Sequence, residues 1–155
     1  KLHAYAWGGA GNEAPGGSGT AGHNTIDRFS FANEGSWAGH GTLDYGRMNS
    51  CDMGTQTETD GYFPGGRVNS TYHTAIDKIS FASSGTGTDI GDLTVGETAG
   101  SGSTSTTGNV YIMHGNSSGS GHTTHIQKFN TTGSFVCSTI SGLTLSKRSG
   151  AACHN

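Results

Sequence analysis

Ile26-Asp-Arg-Phe-Ser-Phe31 returns as Ile76-Asp-Lys-Ile-Ser-Phe81 and again as Ile126-Gln-Lys-Phe-Asn-Thr131, at intervals of 50 and 50 residues in a chain of 155. Recurrence at a fixed period of this length marks a tandem array of one supersecondary unit, because a single such unit cannot bury its own apolar face. A second anchor follows 17 residues into each copy, at Leu43, Leu93 and Leu143. A third is an aromatic run ending in glycine: Tyr5-Ala-Trp-Gly-Gly9, Tyr62-Phe-Pro-Gly-Gly66 and Tyr111-Ile-Met-His-Gly115. The units span approximately residues 1–56, 57–106 and 107–155.

Residues 76–81 alternate with period two, and both faces of the alternation carry apolar side chains, so each copy contributes strands to sheets that stack on one another. Gly, Ser and Thr make up 68 of 155 residues, whereas Leu, Ile, Val and Phe number 22. That is too little apolar matter for an ordinary core, yet the apolar residues sit in short runs and the formal charge is only −3, which favours short strands and Gly-rich turns over disorder. No stretch has an apolar period near 3.6 residues, so almost no helix is expected.

Eight Lys and Arg scattered singly give no basic stripe, so nucleic acid is not an expected partner. No apolar run is long enough for membrane insertion as a helix. Cys51, Cys137 and Cys153 are odd in number and widely spaced, which argues against a disulfide scaffold or a zinc site. The start at Lys1 reads as a processed product or a piece of a longer chain.

Repeats of about fifty residues with four strands apiece are the mark of propeller blades. Joined head to tail, Leu143 lies 17 residues from Tyr5, continuing the internal spacings of 19 (Leu43 to Tyr62) and 18 (Leu93 to Tyr111). Arg148-Ser-Gly-Ala-Ala running into Leu2-His-Ala-Tyr-Ala-Trp-Gly-Gly9 resembles the kelch repeat, and Ile76 to Val95 is similar to the kelch-like repeats of structural and tail-associated proteins of bacteriophages, notably marine ones. The likeness covers nearly all of the chain; it is strongest in the second unit, weaker in the first, where Trp37 and His40 replace the turn pattern, and weakest in the third. It implies a β-propeller presenting loops from a virion and transfers no catalytic residues.

Three blades do not close a ring, so the expected architecture is all-β, with three kelch-like four-stranded blades forming part of a larger propeller of about six. A second chain or missing sequence would complete it, the N-terminal strand at residues 2–9 completing the last blade. A β-trefoil or β-prism is the alternative three-fold solution.

No constellation in the chain selects an enzyme mechanism, and no cofactor or metal is expected. His122 and His125 are the one close histidine pair, but they fall in loop and strand. Asp27 and Asp77 repeat ahead of Arg28 and Lys78, which reads as a structural salt bridge or a turn bond. The first unit carries an insertion around Asn12 to Gly22, and insertions on repeat scaffolds mark functional faces. Trp37, His40 and Tyr45, with Asn12 in the insertion, are therefore the candidate ligand-binding residues, an aromatic-polar group suited to a sugar or a partner loop. The expected function is that of a non-enzymatic phage structural protein in virion assembly or host-surface attachment, located in the virion or outside the cell. Its partners would be other copies, other virion proteins or a host-surface glycan; the alternative is a carbohydrate-binding lectin assembled from short propeller chains.

Overall fold

A computed structural model describes residues 3–7, 10–11, 21–32, 35–48, 53–113, 115–117, 121–133 and 135–147. The chain is all-β, and no α-helix occurs among the described residues. Branched and aromatic residues crowd a helix but sit easily on a pleated surface, so the repeated Ile, Phe and Tyr runs extend. The first repeat supplies β1 (His3–Trp7), β2 (Ala10–Gly11), β3 (Ala21–Ser30) and β4 (Ala38–Arg47). Next come β5 (Thr55–Gln56), β6 (Asp60–Pro64), β7 (Arg67–Val68), β8 (Thr71–Tyr72), β9 (Ala75–Ser80), β10 (Gly85–Thr86) and β11 (Thr88–Asp92). The chain continues through β12 (Glu97–Thr98), β13 (Ser101–Thr104), β14 (Asn109–Met113), β15 (Asn116–Ser117), β16 (Gly121–Asn130) and β17 (Ser138–Lys147).

The anchors occupy matching places in three sheets. The Tyr strand runs antiparallel to the Ile strand, with Tyr5 opposite Arg28, Tyr62 opposite Lys78 and Tyr111 opposite Lys128. The Ile strand pairs in turn with the strand leading to or containing the Leu anchor: β3 with β4, β9 with β11 and β16 with β17. A short further strand flanks the Tyr strand twice, β5 beside β6 and β13 beside β14. Among the described residues β1 has no such neighbour and is an edge.

The strand pairing refines the unit boundaries. Residues 55–56 and 101–104 belong to the sheet of the repeat that follows them, so the boundaries at 57 and 107 fall about one strand too late. Within the chain the N-terminal strand lies in the first sheet, because Tyr5 to Trp7 keep the register of the other Tyr strands, Trp7 opposite Ile26 as Pro64 is opposite Ile76. The second Gly-Gly has a backbone cause: Gly65 and Gly66 turn the chain at φ 64° and 96°, the left-handed region that side chains disfavour.

Period-two alternation divides each middle strand between two cores. Ile26, Leu43, Phe63 and Ile79 form a cluster between the first and second sheets, with Tyr5, Trp7 and Phe81 packed against it. Tyr62, Ile76, Leu93, Val110, Ile112 and Phe129 are among the residues of the cluster between the second and third. Neighbours Tyr62 and Phe63 thus face opposite ways, as do Ile76 and Ile79, and each such side chain stabilises its junction by roughly 1.5–3 kcal/mol.

Candidate functional site

The most enclosed charges in the molecule join the sheets. Arg47, at the end of β4, and Asp77, on β9, are both fully buried, with Nη2 and Oδ2 2.7 Å apart. The other terminal nitrogen of Arg47 donates to the carbonyls of Phe63, Gly65 and Ala75 at 2.9, 3.0 and 3.0 Å. The backbone N–H of Asp44 donates to Asp77 Oδ2 at 3.0 Å. Burial pushes the Asp77 carboxyl above its ordinary 3.8, against the pull of the Arg47 guanidinium and the Asp44 amide. The ion pair expected at Asp77 therefore exists, but with Arg47 of the preceding repeat; Lys78 pairs with Asp60 at 3.3 Å.

Fifty residues on, the same position solves the same problem without charge. Gln127 is fully buried and accepts from Thr94 Oγ1 at 2.7 Å and from the Val95 N–H at 3.1 Å, while its own amide donates to the Val95 carbonyl at 3.1 Å. Glu97, the counterpart of Arg47, accepts from Thr123 Oγ1 at 3.0 Å and lies 3.3 Å from His125 Nδ1. Burial also raises the thiol of Cys137 above 9.0, which makes it a packing group and a poor nucleophile.

Of the predicted ligand residues, the structure describes the side chains of Trp37 and His40, which do not meet. Trp37 is 51% exposed and its ring lies 5.5 Å from that of Phe29, which meets Phe31 edge-on at 5.9 Å. His40 is buried between the first and second sheets, its Nε2 3.1 Å from the Ser80 carbonyl and its ring edge-on to Tyr5 at 5.2 Å. Tyr45 stands on β4, and Asn12 lies outside the described residues. Of the close histidine pair, His122 and His125 are three apart on one strand and so leave it on opposite faces.

Sequence reasoning passed over a groove of about 300 Å³ beside β1, walled by Tyr5, Trp7, Phe63 and Phe81 with His3 and Gln56 at its polar side. Tyr5 stacks on Phe81 at 4.6 Å, and Trp7 meets Phe63 edge-on at 4.7 Å. The Trp7 indole N–H is buried and finds no acceptor among the described residues. The Tyr anchors were visible in the sequence, but only as strand markers; that the first one borders an open edge required the pairing of the sheets.

No family model matches the chain, and no curated protein is similar to it in sequence. Ninety-four chains of solved structures resemble it. One of them, "Structure of YjhT", superposes with a TM-score of 0.72 at 9% identity, over 93% of this chain and 50% of that one. The chain thus spans half the length of the YjhT structure, and at this identity the likeness shows the fold alone.

Proposed function

We propose that this chain acts by binding rather than by catalysis, as three blades of a six-bladed kelch-like β-propeller in a virion, where it serves assembly or host-surface attachment. The half-length match carries the propeller part: three repeats use 93% of this chain but only 50% of the YjhT chain, so that fold has room for six. The sheet β5-β6-β9-β11, ordered as in the sequence with antiparallel neighbours, supports a blade over a trefoil or prism unit. Binding is favoured because Arg47 and Asp77 are engaged in holding sheets together, which leaves loops as the variable surface. The virion setting comes from the sequence likeness of Ile76 to Val95 to phage repeats. Immunogold labelling of particles banded on a density gradient tests it. Label on the particles is expected; label confined to the soluble fraction, with none on particles, overturns the virion role.

The groove beside β1 favours a lectin as the second reading. Its aromatic walls suit a sugar that presents an apolar ring face. On a glycan array, binding by the wild-type protein that Trp7→Phe abolishes would support it, whereas binding unchanged in Trp7→Phe would remove the groove from consideration.

A further inference from the structure

Each junction inside the chain brings together the same two faces. The leading face of one sheet, around its Leu anchor and residue 47 or residues 94–95, is covered by the trailing face of the next sheet, around residues 77–81 or 127–129. The chain also carries one unused copy of each. On the first sheet Asp27 is the counterpart of Asp77 and Gln127; they are fully buried, whereas Asp27 is half-buried and has no inter-sheet partner among the described residues. Phe29 is half-buried where Ile79 and Phe129 are covered, Phe31 is 56% exposed where Phe81 lies on Tyr5, and Trp37 is exposed where Cys137 is buried.

The third sheet shows the opposite face. Leu143 is half-buried where Leu43 and Leu93 are covered, and Ile140 and Leu145 are 49% and 69% exposed. Lys147 stands opposite Thr123 in register as Arg47 stands opposite His23, so the chain ends its last described strand with the same charge that neutralises Asp77.

We infer that these two faces close on each other between two copies of the chain, Lys147 of each copy pairing with Asp27 of the other. The faces match in kind: a cation meets the one member of the Asp27, Asp77 and Gln127 series that lacks an inter-sheet partner among the described residues, and Ile140 and Leu145 meet Phe29, Phe31 and Trp37. Two apolar patches of this sort, each the continuation of a junction already buried twice inside the chain, are the surfaces that association removes from water. The contact is head-to-tail, and a two-fold pair forms it twice and leaves neither face free. The contact itself needs no ring; its closure at two copies rests on the six-blade propeller proposed above.

Sedimentation equilibrium across a dilution series tests it on the wild-type chain, on Asp27→Lys, on Lys147→Asp and on the combined reversal. The wild type is expected at twice 15.8 kDa. Each single reversal sets like charges against one another at both contacts and weakens association at least about tenfold, while the combined reversal restores it. Unfolding midpoints by circular dichroism, taken below the dissociation concentration, are expected to agree among all four, which separates lost contact from lost fold. A wild-type monomer at every concentration, or single reversals as tight as wild type, overturns the contact. Growth beyond two copies with concentration keeps the contact but overturns closure, and with it the six-blade ring.

Discussion

Arg47→Met tests the junction between the first two sheets where it is driest. Met keeps most of the aliphatic bulk, so the loss is electrostatic. A fully buried carboxylate loses a cation 2.7 Å away, and the carbonyls of Phe63, Gly65 and Ala75 lose their shared donor. Breaking a buried pair from one side costs about 3–5 kcal/mol, while the Ala75 carbonyl keeps the Gly65 N–H as a donor. The expected loss of about 3–5 kcal/mol is a large part of the whole stability of a domain. Adding Asp77→Leu removes the stranded charge and recovers about half of it. Urea unfolding followed by circular dichroism measures both. The pH dependence carries its own sign. Burial already holds the Asp77 carboxyl above 3.8, and without Arg47 only the Asp44 amide opposes that effect. A carboxyl whose folded pKa is raised penalises the fold only when ionised, so the deficit of Arg47→Met shrinks as pH falls from about 7 toward about 4. A loss below about 1 kcal/mol, or one independent of pH, would refute the assignment of Arg47 and Asp77 as the lock between sheets.

Gln127→Ala takes away the partner of both backbone groups of Val95, and should lower the stability measured by urea unfolding by about 1–3 kcal/mol. A methyl group at Gly41 would strike the carbonyl of Gly85, where β4 and β10 run parallel; Gly41→Ala should therefore cost about 1–3 kcal/mol and deprotect the Gly87 N–H, bonded to the Thr42 carbonyl, in hydrogen exchange. Because burial raises its thiol, Cys137 should resist iodoacetamide at neutral pH in the folded protein and react once urea unfolds it, as read from its own tryptic peptide.

The three repeats and their strands were legible because Ile26, Ile76 and Ile126 and the Leu anchors recur at fixed spacing, and a spacing is a property of the chain alone. The two-faced strands were legible too, since Ile76 and Ile79 cannot share a face at period two. The lock between sheets was not. Arg47 recurs as Glu97 and Lys147, so no repeated residue type marks the position; only the fold brings it to Asp77, thirty residues away. The strand phase was missed because Thr55–Gln56 and Ser101–Thr104 are polar, two and four residues long, and read as turn. Trp37 and His40 looked like one group because they are three apart, but the first sheet separates them, with His40 turned inward against Tyr5 and Trp37 outward onto Phe29.

Electron-microscopy class averages of the purified wild-type protein, viewed along the assembly axis, test most directly whether this chain is half of a closed ring. Six radial densities around a central channel are expected, two sets of three related by a two-fold axis. An isolated arc of three densities, or a closed body built from three alone, would contradict it.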